Sequence, residues 1–311
     1  MWQSVVPDLG LVVLPAEGRV PAEEVERIDI AVFSSDLWRE RRGSPFMRVL
    51  LDAPHAVWLH MFAAGLDDPL FERFGARGVT VTHSAGSSAV PIAHTVMMQL
   101  IAMCRRGRGW HLAQTEQRWD QGEVDDVEGR RVTVVGLGAI GSEVARLAQQ
   151  FGMQVTGLRR SPDGSEPCRT LPIGALHEVL PTTDDLVLTA PLTDGTRGLI
   201  GARELALLPT GARLVNVGRG ELLDEAALID ALRAGQVGAA ALDVFTTEPL
   251  PVESPLWTMP NVLVTPHSSG STDLADRRAA DVFVENLRCF AAGEPLRNVG
   301  HGATRPAMHA R

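Results

Sequence analysis

Residues 131–162, RVTVVGLGAIGSEVARLAQQFGMQVTGLRRSP, constrain the fold more than any other part of the chain. The β-branched run at 132–135 reads as a buried strand. Gly136-Leu137-Gly138-Ala139-Ile140-Gly141 follows without a break, then an amphipathic run to Gln150 and a second strand at 154–158. Strand, glycine turn, helix and strand make one βαβ unit, with glycines where a dinucleotide site requires them. Gly136 permits the tight turn, Gly138 lets backbone approach a pyrophosphate, and Gly141 lets helix and strand pack closely. The helix's first N–H groups, around Ala139 and Ile140, and its positive dipole end would then face the phosphates. Glycine spacing alone is a weak signal; its place between strand and helix makes it specific.

The position that should hold the adenosine ribose is unusual. An NAD site carries Asp or Glu near the end of the second strand, to accept from the ribose hydroxyls. Here Arg159, Arg160 and Ser161 stand there, with no acidic residue before Asp163. A carboxylate would repel the 2′-phosphate of NADP, whereas a guanidinium binds it as a planar fork. The expectation is NADP, with NAD as second choice; two solvated surface arginines are the bland alternative.

A length of 311 residues gives room for two domains with sizeable cores. Hydrophobic content of 45% and charged content of 22% are those of a soluble globular protein. A net charge of −9 argues against nucleic acid as a partner. All 29 basic residues are Arg. Without Lys, a Schiff-base mechanism and a Walker-type phosphate loop are both excluded. Cys104, Cys168 and Cys289 lie far apart, so neither a disulfide framework nor a zinc site is indicated. The N-terminal stretch MWQSVVPDLGLVVLPAEG has no basic leader, and the apolar run 90–104 is too short to span a bilayer. The expected location is the cytoplasm, away from membranes.

Residues 1 to about 90 alternate strand candidates (11–14, 30–33, 56–59, 79–82) with polar helical segments, which implies a parallel sheet. Glycine-bearing loops follow the last two, at 61–67 and 83–88. A long helical stretch from Pro91 to about Gln117 leads into a polar linker at 119–129. Beyond the βαβ unit come four more strand candidates, 185–190, 213–217, 238–244 and 262–265. The second half therefore reads as a six-stranded doubly wound sheet. A helix at 273–292 closes the chain, and the tail from Gly300 is expected to be loose.

Three residues that can carry chemistry lie just past the later strands. Arg219 follows the strand ending at Val217, Glu248 the next, and His267 the last. In a parallel sheet all three fall at the carboxyl edge, where the dinucleotide binds. The Arg can hold a substrate carboxylate, and a carboxylate beside an imidazole favours its protonated form.

At these residues the chain resembles the D-isomer-specific 2-hydroxyacid dehydrogenases. The resemblance is specific over 131–298, through GLGAIG, APLTDGTRGLI, LVNVGRGELLDEAAL, GAAALDVFTTEPLP, SPLWTMPNVLVTPHSSGST and GEPLRNV. It implies a Rossmann-type doubly wound α/β sheet plus a smaller flavodoxin-like α/β substrate domain. The implied boundaries are 1–97, completed by 284–311, for the substrate domain and 98–283 for the dinucleotide-binding domain. By resemblance Arg219 binds the 2-keto acid, His267 donates the proton on reduction and Glu248 tunes His267. Asp243 contacts the nicotinamide amide; Ala190, Pro191 and Val217 line the cofactor. Ala64 and Gly65 present amides to the substrate carboxylate. Relatives bind substrate between two such domains and form homodimers through the nucleotide domain. The departures are Arg159 in place of an acid, and His83 and His94 where relatives often carry Asn and Glu.

The expected function is hydride transfer between NAD(P)H and a small 2-keto acid such as glyoxylate or hydroxypyruvate. A phosphoglycerate dehydrogenase-like enzyme remains open, and so does a dinucleotide-sensing protein like the family's corepressors. Formate dehydrogenase is disfavoured, since that relative carries Gln where this chain has Glu248.

Overall fold

The computed structural model describes residues 5–6, 9–63, 65–66 and 68–306. Eleven strands occur among them. The first three are β1 (Ile30–Phe33), β2 (Trp58–Met61) and β3 (Thr80–His83). Next come β4 (Arg131–Val135), β5 (Gln154–Arg159), β6 (Arg169–Pro172) and β7 (Asp185–Leu188). The last four are β8 (Ala212–Asn216), β9 (Val237–Leu242), β10 (Val262–Val264) and β11 (Val299–His301). They form two sheets, and the chain divides into two compact units, 1–88 with 272–311 and 89–271.

The larger unit is a seven-stranded sheet in the order β10-β9-β8-β7-β4-β5-β6, parallel throughout. Counted from β4 this is the Rossmann order 3-2-1-4-5-6 with a seventh strand added, and the glycine turn leaves β4 at the switch point. Both faces are covered, as a parallel sheet requires. Leu186, Leu188 and Leu214 enter one apolar cluster; Val187, Val215 and Val217 enter the other. β6 was not among the six strands read from the sequence. Its residues, Arg-Thr-Leu-Pro, lack apolar alternation and sit at the sheet's edge.

Helix Ala89–Cys104 belongs with this larger unit, because Ile92, Val96, Met97 and Leu100 pack with Val132, Val134 and Val144. The expected boundary at 97/98 thus moves to 88/89. The single helix expected over 91–117 is two, since the chain turns left-handed at Arg106 (φ 53°) before helix Gly107–Thr115. At the other end helix Ala275–Ala291 sends Phe283 and Leu287 into a cluster with Val57 and Trp58. The second boundary therefore falls at 271/272 rather than 283/284.

The smaller unit pairs β1, β2 and β3 in parallel, with β11 antiparallel to β3. The tail expected to be loose from Gly300 begins in this strand, which runs through His301, and the Thr80 hydroxyl donates to the Ala303 carbonyl at 2.7 Å; residues 307–311 of that tail lie outside the described residues. The strand expected at 11–14 is absent: these residues are irregular, with Leu11 and Val13 about 70% exposed. β2 is buried on both faces. Leu59 and Met61 join Phe33 and Phe74 on one side, while Trp58 stacks near Phe283 and Phe290 on the other. No helix among the described residues is long and apolar enough to cross a membrane.

His60 is the one buried titratable side chain of β2, and its neighbours fix its protonation state. Trp58 Nε1–H donates to Thr82 Oγ1 at 2.8 Å, which turns the Thr82 hydroxyl to donate to His60 Nδ1 at 2.7 Å. His60 Nε2–H then donates to Ser84 Oγ at 3.1 Å, and that hydroxyl donates to the Met61 carbonyl at 3.1 Å. The chain of donors closes when the imidazole is neutral. Burial, helped by His83, pushes the pKa from 6.5 down to about 3. Between those values the unfolded chain binds a proton that the folded unit does not. Stability present above the unfolded pKa is therefore lost as pH falls, by at most about 1.4 kcal/mol per pH unit. An NMR titration should find the His60 ring neutral down to about pH 4. Protonation near its ordinary value would contradict this hydrogen-bond chain.

Candidate active site

The glycine turn has the geometry that its sequence implies. Gly136 sits at φ 100°, and a Cβ there would lie 2.5 Å from the Ala190 backbone. A Cβ on Gly141 would lie 2.0 Å from the Gly136 carbonyl oxygen and 2.7 Å from Thr189 Oγ1. Both close approaches demand glycine. Gly138 is different, since a Cβ there would meet nothing within 4 Å. It caps helix Ala139–Gln150 with no side-chain hydrogen bond to the first turn. Open space therefore lies before a helix N-terminus whose first N–H groups lack intrahelical partners, which fits a pyrophosphate. Thr189, which the sequence did not single out, ties the turn to β7 by donating to the Gly136 carbonyl at 2.6 Å.

Arg159 ends β5, beside that turn, but its guanidinium is not the isolated cation the sequence suggested. Its Nη1 donates to Glu166 Oε1 at 2.8 Å and to Asp163 Oδ2 at 3.2 Å. The Glu166 side chain is only 4% exposed and also accepts the N–H groups of Asp163 and Gly164, both at 2.9 Å. Those bonds, led by the one from Asp163, hold its carboxyl below the usual range. Arg160 and Ser161 are exposed.

Arg219, Glu248 and His267 follow three neighbouring strands, β8, β9 and β10, at their carboxyl ends. Asn216 shapes the first loop, donating through Nδ2 to the Arg219 carbonyl at 2.9 Å and accepting from the Gly218 N–H at 3.1 Å. The flanking glycines are obligatory. A Cβ on Gly218 would fall 2.7 Å from Leu222, and one on Gly220 would fall 2.0 Å from the Phe245 backbone. Arg219 Nη1 donates to the Gly218 carbonyl at 2.7 Å.

His267 and Glu248 form a direct pair, Nδ1 to Oε2, at 2.7 Å. The other carboxylate oxygen of Glu248 accepts the Phe245 N–H at 3.0 Å, so both of its oxygens are fixed. Opposite a carboxylate, Nδ1 is the donor, which leaves Nε2 to exchange protons on a ring whose side chain is 51% exposed. His267 occupies the left-handed region at φ 50°, a conformation costing a non-glycine residue about 1 kcal/mol. Asp243 holds it there. The Asp243 carbonyl accepts the His267 N–H at 2.8 Å. Its carboxylate accepts from the Thr265 hydroxyl at 2.6 Å, the Ser268 N–H at 3.0 Å and the Ser269 N–H at 3.1 Å. A loop-clasping role for Asp243 has no local sequence signal, since its partners lie 22 or more residues away.

Ala190 and Val217 are buried at the strand ends, whereas Pro191 is exposed. Gly65 belongs to the smaller unit and Ala64 lies outside the described residues. The three cysteines are free.

Known proteins resemble the chain in sequence and in fold. The model of the D-isomer specific 2-hydroxyacid dehydrogenase NAD binding domain matches residues 97–269, more than half of the chain. A D-3-phosphoglycerate dehydrogenase from Methanocaldococcus jannaschii is 33% identical over 91% of this chain, which spans only 54% of that longer relative. A glyoxylate reductase from Aeropyrum pernix is 35% identical over 79% of this chain and 76% of its own length. A D-isomer specific 2-hydroxyacid dehydrogenase from Xanthobacter autotrophicus, solved with NADPH and MES, is 35% identical. It superposes with a TM-score of 0.80 over 96% of this chain and 91% of its own. From the glycine turn after β4 to the His267–Glu248 pair, the chain belongs to the D-isomer specific 2-hydroxyacid dehydrogenase family.

Proposed function

We propose that the protein is an NADPH-preferring reductase of small 2-keto acids such as glyoxylate or hydroxypyruvate. The observation that carries this is the 2.7 Å His267–Glu248 pair one strand away from the Arg219 loop, at the edge where the glycine turn opens. A bound nicotinamide supplies the hydride for the keto carbon. Arg219 holds the substrate carboxylate and keto oxygen in a fixed plane, which a guanidinium fork does better than a point charge. His267 delivers a proton from Nε2 to the carbonyl oxygen, and Glu248 keeps Nδ1 protonated and the ring in one orientation. Ala190, Val217 and Asp243 would border the nicotinamide.

Arg159 at the end of β5 supports NADPH, and the relative crystallised with NADPH points the same way. The two carboxylates on Nη1 temper the preference, so about ten- to hundredfold in kcat/KM is expected, equivalent to about 1.4–2.8 kcal/mol. The measurement is kcat/KM for NADPH and NADH with one keto acid, in wild type and Arg159→Asp. A wild type that prefers NADH, or a variant that keeps the NADPH preference, would remove Arg159 from the cofactor site.

A homodimer through the larger unit is also proposed. Trp110, Leu112 and Trp119 expose apolar surface on and beyond helix Gly107–Thr115, with Trp119 88% exposed. Sedimentation should give a dimer that Trp119→Glu weakens; a monomeric wild type would end the proposal.

A further inference from the structure

The turn between β5 and β6 supplies a carboxylate that the sequence placed out of reach. Asp163 comes four residues after Arg159, yet its Oδ2 returns to 3.2 Å from Arg159 Nη1. Both carboxylates at Arg159 meet the same nitrogen, and neither Nε nor Nη2 bonds to a described residue. The two acids are not equivalent. Glu166 is buried in the turn and bound by backbone N–H groups, whereas the Asp163 side chain is 57% exposed. Hydrogen bonds from the Ser165 hydroxyl and N–H lower the Asp163 carboxyl pKa from its ordinary value.

We propose that Asp163 is a specificity-determining residue, whose carboxylate competes with a 2′-phosphate for Arg159 and accepts hydrogen bonds from an unphosphorylated ribose diol. With Arg159 at the adenosine ribose, as proposed above, the two side chains pull in opposite directions. The guanidinium retains a free Nε–Nη2 edge for a phosphate, while Asp163 occupies Nη1 and brings a negative charge beside it. For an unphosphorylated ribose the same carboxylate is the acceptor that Arg159 displaced from its usual position. The site then takes both dinucleotides, with a preference set by residues 159 and 163 together.

Calorimetric titration of the full chain with 2′,5′-ADP and with 5′-AMP tests this without turnover. Asp163→Asn keeps the oxygen that Ser165 needs and removes the charge. It should tighten 2′,5′-ADP by about three- to tenfold and weaken 5′-AMP by about threefold. Unchanged or weaker 2′,5′-ADP binding in Asp163→Asn overturns the proposal. Arg159→Ala judges the NADPH assignment separately. If it weakens 2′,5′-ADP and spares 5′-AMP, Arg159 is at the ribose and the Asp163 result stands by itself. If it changes neither ligand, the NADPH assignment falls first.

Discussion

His267→Asn lowers the rate of keto-acid reduction by about two to four orders of magnitude, the usual worth of a positioned acid–base group. Asn cannot carry a transferable proton, yet it tolerates the left-handed backbone that His267 adopts at φ 50°. The loop should therefore keep its shape, and dinucleotide affinity should stay within a few-fold. Single-turnover rates and NADPH binding measured on the same variant separate lost chemistry from lost fold. Near-normal turnover would show that His267 is not the proton donor. Glu248→Gln is the companion test. Gln holds the ring with a neutral oxygen, so the imidazolium loses its counter-charge while the 2.7 Å contact can persist. The reductive rate should then fall by about tenfold or more, the worth of one charge-assisted hydrogen bond. An unchanged rate would leave Glu248 a loop residue bonded to the Phe245 N–H.

Arg219→Lys is the second large effect, about one to two orders of magnitude in kcat/KM, carried mainly by KM. Charge is conserved, so the loss measures geometry: an ammonium cannot give a carboxylate two parallel bonds. Lost charge-assisted hydrogen bonds cost about 1.5–3 kcal/mol, which matches that range. The loop is a rigid mount for the side chain, because Asn216 bonds to both Gly218 and Arg219 and neither flanking glycine has room for a Cβ. Unchanged saturation and turnover in Arg219→Lys would take Arg219 out of the site.

Features carried by short-range pattern were legible in the sequence. The glycine turn, the strands beside it and the loops bearing Arg219, Glu248 and His267 all announce themselves through periodicity and strand ends. Features that depend on long-range pairing were not. The 11–14 run, Leu-Val-Val-Leu, has strand composition but no partner strand among the described residues, and it is irregular. β11 contains a glycine and looks like a tail, yet it pairs with Thr82 and Val81 across more than two hundred residues. The same holds within the site. Glu166 and Asp163 reach Arg159 only because a turn folds back, which no spacing rule foretells. Asp243 entered the sequence reading only through the family resemblance, and its grip on Thr265, Ser268 and Ser269 exists only once β9 and β10 are side by side.

The most direct test of the account is product analysis with NADPH and a panel of glyoxylate, hydroxypyruvate and 3-phosphohydroxypyruvate. The expected result is stoichiometric NADPH consumption with a small unphosphorylated keto acid, and formation of the D-hydroxy acid where the product is chiral. Tight NADPH binding with no turnover of any keto acid, or formation of the L-isomer, would contradict it.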